Sequence, residues 1–366
     1  VRSTRMVSVA ERHLAVMTFE VTLLDTGAPV VISSQLLNRQ DGEDEYHVPH
    51  AALGEAHLGS DPRKARQFEE RVLLPTSQND YTARGRGDVI LGYTCANSGM
   101  TLACGYRHEI STGSHFVAST EVAPDLAKTV VEFHAEPNTP ITLTKYVSYH
   151  TSTGVPCEEL VDRCSRTLHR ASETGVDALR QEQASGLERF WNSADVEIEG
   201  DDTAQQAIRW NLFQLAQASI KSQEQGIAAK GVTAGGYDGH YFWDTEVYVV
   251  PFLAYTDPSA ARKLLRFRWH MLDAARRRAR ELNQDGGLYP WRTINGEEAS
   301  AYYAAGTAQY HINADVVFAL ARYLDATADV DFLADEGAEI LVETARLWND
   351  LGFYATNGSD SFHIHR

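Results

Sequence analysis

Two periods divide this chain. Up to about Val155 apolar and polar residues alternate in short runs, and beyond it apolar residues recur every three or four positions. Alternation puts successive side chains on opposite faces of a strand, whereas a repeat near 3.6 gathers them on one stripe of a helix. The first rule predicts strands over residues 13–23, 30–34, 89–94, 128–133 and 141–149, broken by turn residues such as Asp25-Thr26-Gly27. Many short strands joined by polar turns predict an antiparallel β-sandwich over residues 1–155. Residues 38–45 (NRQDGEDE) read as a solvated charged loop. The chain opens on Val1 within a strand-like run, so the natural N-terminus is expected upstream.

The second rule takes over at residues 158–191, rich in Ala, Leu, Arg and Glu. Leu160, Cys164 and Leu168, then Leu179, Leu187 and Phe190, fall at helical spacing and predict one or two linker helices within residues 156–200. Asp202 is the expected N-cap of a helix carrying Ile208, Leu212, Leu215 and Ile220 on one stripe. Further helices are predicted over residues 259–282, 314–326 and 337–351. The third domain, residues 201–366, thus reads as consecutive helices joined by loops.

Composition narrows the partners. The chain has 366 residues, enough for two domains, with 50 acidic against 33 basic side chains and a formal charge of −17. Nucleic acid is not an expected partner, because phosphate backbones need a basic footprint. No apolar run approaches the ~20 residues that span a bilayer, so no membrane partner is expected. The four cysteines, Cys95, Cys104, Cys157 and Cys164, contain no CxxC pair, and no metal is assigned. Cys95 and Cys104 could bridge a hairpin in an oxidising compartment; reduced thiols in a cytoplasmic protein are the plainer reading.

The chemistry concentrates in residues 235–246, GGYDGHYFWDTE, where aromatic side chains run into the carboxylates Asp244 and Glu246. Sugars present apolar C–H faces and hydroxyl rims. A site for them needs flat aromatic surface beside fixed hydrogen-bond acceptors. The same residues also serve ordinary cores and helix caps: Trp243 in the core, Asp244 capping the helix that follows.

Three runs in this order, FWDTE (242–246), GGLYPWRTINGEE (286–298) and GTAQYHINAD (306–315), resemble glycoside hydrolase family 65, the family of inverting phosphorylases for maltose, trehalose and kojibiose. The resemblance implies an N-terminal antiparallel β-sandwich, a helical linker and an (α/α)6 barrel, of which residues 201–366 are the first part. It implies inverting phosphorolysis of an α-linked glucose disaccharide to β-glucose 1-phosphate and a free sugar, with inorganic phosphate as co-substrate and no cofactor. A homodimer is an assembly state open to the family. Trp243 and Asp244 match the positions that hold the non-reducing glucose. Trp291 is the candidate second platform, Arg292 a candidate carboxylate-orienting group and Glu298 a candidate hydroxyl acceptor. The general-acid glutamate is expected beyond Arg366, so no catalytic residue is assigned within the chain, and Glu246 is not read as the acid.

Other residues carry plainer readings. Asn313 or Asp315 is the expected cap of the helix that follows, and His311 is a weaker pocket candidate. His363 and His365 lack further ligands at recognisable spacing. The basic run from Arg262 to Arg280 reads as a solvated face pairing with the acidic surface. Two alternatives to a phosphorylase stay open: a hydrolase of the same family, and a non-catalytic carbohydrate-binding fragment. A terpenoid-cyclase-like helical toroid is disfavoured, because no DDxxD motif is present and a sandwich stands upstream.

Overall fold

The computed structural model describes residues 1–38, 72–82, 87–96, 98–220, 226–231, 237–300, 307–355 and 361–364. Two compact units divide the chain, one ending at Leu187 and the other running from Glu188.

In the first unit, strands β1 (Arg2–Val7), β2 (Leu14–Val21), β4 (Leu73–Asp80), β5 (Asp88–Cys95), β6 (Thr101–Thr112) and β9 (Ile141–Ser152) form one antiparallel sheet in the order β1-β2-β9-β6-β5-β4. Strands β3 (Ala28–Leu37), β7 (Phe116–Ala123) and β8 (Leu126–Ala135) form a second sheet with β8 in the middle. The two sheets meet face to face. Val89, Leu91, Tyr93, Tyr106 and Val147 of the large sheet pack with Ala127 of β8, and Ile141 and Leu143 pack with Ile32, Val131 and Phe133.

Helix α1 (Cys157–Thr174), expected in the linker, packs on the other face of the large sheet. Its stripe of Leu160, Val161, Cys164, Leu168 and Ala171 meets Leu14, Val16, Ile90, Ala103 and Tyr146. The contact is close: a Cβ on Gly92 would lie 2.5 Å from Cys157 Sγ, so only glycine lets the helix approach. Covered on both faces, β5 is buried at every position from Asp88 to Tyr93 and does not alternate. Register also settles the cysteines. Cys104 pairs with Leu91, four residues from Cys95, and at about 3.3 Å per residue that separation is too long for a disulfide. All four thiols are free.

Helix α2 (Val176–Ala194) leads into the second unit, where its Phe190 and Ala194 pack with Leu212 and Ala216 of α3 (Asp202–Ser219). The N-cap of α3 is Asp201, whose side chain accepts from the Ala204 amide, one residue before the expected Asp202. A wide turn at Thr245–Val249 runs directly into α4 (Val250–Thr256) and is followed by α5 (Pro258–His270) and α6 (Leu272–Glu281). The single helix expected over residues 259–282 is therefore two, because Met271 leaves helical geometry (ψ −8°) and its amide bonds to Arg268 O three residues back. Helix α7 (His311–Thr327) packs with α4, α5 and α9 (Ala338–Leu351), the last reached through the short α8 (Val330–Phe332). One apolar core joins them, with Leu253, Leu264, Leu265, Val316, Leu320, Phe332 and Ile340 at its centre. A hairpin of β10 (Gly352–Tyr354) and β11 (Phe362–Ile364) follows α9. Among the described residues no helix is long and apolar enough to cross a membrane.

Candidate functional site

The three motif runs, 242–246, 286–298 and the described part of the third, 307–315, come together at the N-terminal ends of the wide turn before α4 and of α7. Each join is a specific polar contact. Tyr241 and Thr293 exchange two backbone hydrogen bonds, a single rung of ladder that ties the first run to the second. Asn313 ties the third run to the second: its Oδ1 accepts from the Tyr289 amide at 3.1 Å and its Nδ2 donates to Gly287 O at 2.8 Å. That amide also reaches Thr344 Oγ1 on α9 at 3.2 Å. Asn313 is fully buried and lies inside α7, which begins at His311. Neither Asn313 nor Asp315 caps the helix, because the first two positions, His311 and Ile312, already precede them in helical geometry. Asp315 instead accepts from His311 Nδ1 at 2.8 Å. Gly286 lets the second run pass α9: with φ +74°, it lies where a Cβ would be 2.3 Å from Glu343 O.

Trp243 and Asp244 point to different places. The Trp243 indole is half-buried, packs against the helical core and stands edge-on to His311 with centroids 4.9 Å apart. Asp244 is exposed and in helical geometry, and although it stands at the N-cap position of the wide turn its side chain makes no cap hydrogen bond. Among the described residues its carboxylate has no hydrogen-bonding partner. It lines a cavity of about 290 Å³ with Gln214, Leu215, Ile227, Lys230 and Phe242, and Trp243 is not part of that lining. Phe242 bridges the surfaces, standing edge-on to both Tyr237 and Trp291.

The remaining candidates are held by their own loop. Trp291 is half-buried against the core. Arg292 is buried, with Nη2 3.1 Å from His240 Nδ1, so it faces the turn before the first run. Both oxygens of Glu298 accept backbone amides, from Trp291 at 2.7 Å, Ser300 at 3.1 Å and Arg292 at 3.3 Å, and Arg278 stands 3.9 Å away. Glu298 thus closes the loop on itself.

Glu246, two residues past Asp244, is sealed. Its carboxylate accepts Nε and Nη2 of Arg268 at 2.8 and 2.9 Å and the Tyr241 hydroxyl at 2.5 Å, and both charged groups are essentially inaccessible. Arg268 also lies over the rings of Tyr241 (4.7 Å) and Tyr289 (5.5 Å). Burial pushes both tyrosine hydroxyls up; for Arg268 burial pulls down, and the Glu246 carboxylate outweighs it. This pairing went unseen in the sequence. The third arginine of an arginine-rich helix gives no sign that it turns inward. The rest of that run pairs with acidic side chains, as expected: Arg266 binds Glu336, Arg276 binds Glu339 and Glu343 of α9, and the exposed Arg277 binds Glu297. Among the described residues no group of three His, Cys, Asp or Glu is placed to hold a metal ion. His363 lies beside Ser361 and stacks on Phe353, and His365 falls outside the described residues.

The described chain is thus an antiparallel β-domain followed by a helical array, with aromatic and acidic loops gathered at helix N-termini. The glycosyl hydrolase family 65 N-terminal domain matches residues 1–190 and the central catalytic domain of the same family matches residues 209–366, so the chain belongs to glycosyl hydrolase family 65. It is 40% identical over 368 residues to an α,α-trehalose phosphorylase of Thermoanaerobacter brockii, covering 100% of this chain and 45% of that protein. A kojibiose phosphorylase of Caldanaerobacter subterraneus is 31% identical, covering 99% of this chain and 48% of the relative. The chain therefore spans a little under half the length of these curated relatives. A solved structure assigned to kojibiose phosphorylase, from the human microbiome, superposes with a TM-score of 0.79 at 23% identity, over 99% of this chain and 44% of that one. That likeness supports the fold: a β-sheet domain followed by part of an (α/α)6 barrel.

Proposed function

We propose that this chain supplies the β-sandwich and the glucosyl-holding part of an inverting disaccharide phosphorylase. The substrate is an α-linked glucose disaccharide of the trehalose or maltose type, and the products are β-glucose 1-phosphate and a free sugar. Inorganic phosphate is the co-substrate and no cofactor takes part. In this reading residues 201–366 form the first part of the barrel, and the general acid is supplied by a glutamate outside residues 1–366.

One observation carries the reading: Asp244 is an exposed carboxylate with no hydrogen-bonding partner among the described residues, in the run that matches the family, next to a half-buried indole and a bridging phenyl ring. Its neighbours of similar chemistry, Glu246 and Glu298, are occupied by internal partners, so Asp244 is the acceptor left for sugar hydroxyls. Those bonds strengthen as the ring flattens and charge develops at the anomeric carbon. Phosphate attacks from the face opposite the acid and, being anionic, needs no basic carboxylate to activate it.

The test uses the full-length protein with trehalose, maltose and kojibiose, with and without phosphate, followed by proton NMR. The expected result is β-glucose 1-phosphate formed only when phosphate is present. Equal sugar release without phosphate would give the hydrolase instead. Asp244→Asn is expected to lower kcat/KM by about 10²-fold with an unchanged Tm, since the carboxylate has no partner to lose among the described residues.

A further inference from the structure

We infer that the buried Glu246–Arg268 pair is a positioning device for the sugar-holding segment, acting through Tyr241 and the wide turn. The inference rests on the glucosyl reading of Asp244 and goes beyond it by assigning residues that never touch the sugar.

The pair stands at the crossing of two motif runs and a helix. Glu246 lies in the turn that follows Asp244; the Trp243 carbonyl accepts the amides of Glu246 at 3.0 Å and Val247 at 3.3 Å, and the turn closes with the Val250 amide on Thr245 O, five residues back. Such wide turns are less favourable than regular helix and recur at functional sites. Arg268 comes from α5, and its fork grips both oxygens of Glu246. The same carboxylate takes the hydroxyl of Tyr241, whose backbone is paired with Thr293 of the second run. The Arg268 guanidinium covers Tyr289 of that run as well. The first run is thus fixed at both ends, by Tyr241 and by Glu246, with Trp243 and Asp244 strung between.

Stability is a poor account of this arrangement. Two charges removed from water gain little net stability over apolar residues of similar size, and such replacements are often neutral or stabilising. What an apolar pair cannot supply is direction: a bidentate fork sets the distance and plane of the carboxylate, and so the angle at which the turn presents Asp244. A shift of about 1 Å at a reacting centre costs roughly 10²-fold in rate.

The experiment uses full-length protein, with disaccharide affinity measured calorimetrically and kcat/KM measured for phosphorolysis. The double variant Glu246→Leu/Arg268→Met is expected to fold with a Tm near wild type and to lose about 10²-fold in kcat/KM. Tyr241→Phe, which removes one hydroxyl and folds regardless, is expected to weaken disaccharide binding several-fold. That loss is expected to vanish when Asp244 is already Asn, because the tyrosine acts through the carboxylate. A merely structural role predicts equal losses in both backgrounds, and that additivity would overturn the inference, as would a folded double variant with wild-type kcat/KM. If the double variant does not fold, the Tyr241→Phe cycle decides. Wild-type protein that binds no disaccharide overturns the glucosyl reading and this inference together.

Discussion

The sheet unit and the helical unit are held together by different means. In the sheet unit long ladders set the frame: β6 and β9 alone pair over twelve residues, and apolar faces on either side fill in the rest. In the helical unit the motif loops share a single rung of ladder and are otherwise located by polar side chains, Asn313, Glu298 and the Glu246–Arg268 pair. Side chains of the types used for sugar binding are therefore mostly occupied in building the site. The group left open is identified by what it lacks: Asp244 is the acid in the first run with no partner among the described residues. Residue type alone overstates a binding site, and the hydrogen bonds already made bring it back to size.

The largest expected effect falls on the sheet unit. Leu160 is buried between α1 and β2, β5 and β6, so Leu160→Ala removes apolar contacts that no nearby group can replace. The expected cost is about 4 kcal/mol, read as a drop in the denaturant midpoint of the sheet unit. If the midpoint of the helical unit falls by as much, the two units unfold as one and the comparison fails. Next comes Asn313→Ala, which strands the Tyr289 amide and the Gly287 carbonyl in a dry interior. At roughly 1–3 kcal/mol for each unmet group, about 3 kcal/mol is expected. Asn313→Asp is the sharper variant: it keeps the acceptor for Tyr289 but sets a buried carboxylate oxygen against the Gly287 carbonyl, so its loss should match or exceed that of Asn313→Ala.

These two sites also mark where the sequence was legible. Alternation revealed β2, β3, β8 and β9, whose two faces differ. The run at residues 89–94 placed β5 as well, although β5 is buried on both faces, whereas β4 went unseen because it is a polar edge strand with a register shift at Pro75. Leu160 was read correctly because helical spacing reports which stripe is buried. Asn313 was read as a cap because an Asn ahead of an apolar run has that signature; its true partners lie 24 and 26 residues away along the chain, where local pattern has no reach. The break at Met271 was hidden for a related reason, since the amphipathic repeat continues across it. In the site, the motif runs were legible from the residues and the family resemblance. The separate directions of Trp243 and Asp244 were not, since adjacent residues carry no record of the turn between them.

Acid separates the units in a third way. Burial holds His150 down to about 4 and His108 down to about 3, against an ordinary value of 6.5, with stacked His13 adding to the effect at His150 and Lys145 at His108. Both histidines belong to the sheet unit and are neutral when folded. As pH falls below about 6.5 the unfolded chain takes up protons first, so stability is lost from there down through pH 4 for His150 and pH 3 for His108. Calorimetry between pH 7 and pH 4 is expected to show the sheet transition falling by several degrees. Replacing His150 with Gln, which can still meet Thr167, should flatten that slope; an unchanged slope would remove His150 from the account.

The smallest expected effect bears most directly on the site. Glu298 sits where an acceptor for sugar hydroxyls was expected, yet its two oxygens already take the amides of Trp291, Arg292 and Ser300. Glu298→Gln keeps one acceptor oxygen and the side-chain length, and replaces the other oxygen with a donor that faces backbone amides. As a loop clamp, Glu298 should respond with a loss of about 1 kcal/mol in stability and a few-fold change in kcat/KM. As a sugar ligand, it should respond the other way round, with Tm unchanged and kcat/KM down by 10²-fold or more, as expected for Asp244→Asn. Measuring Tm and kcat/KM on the two variants side by side therefore decides whether the helical unit uses its second acidic loop to hold the substrate or to hold itself.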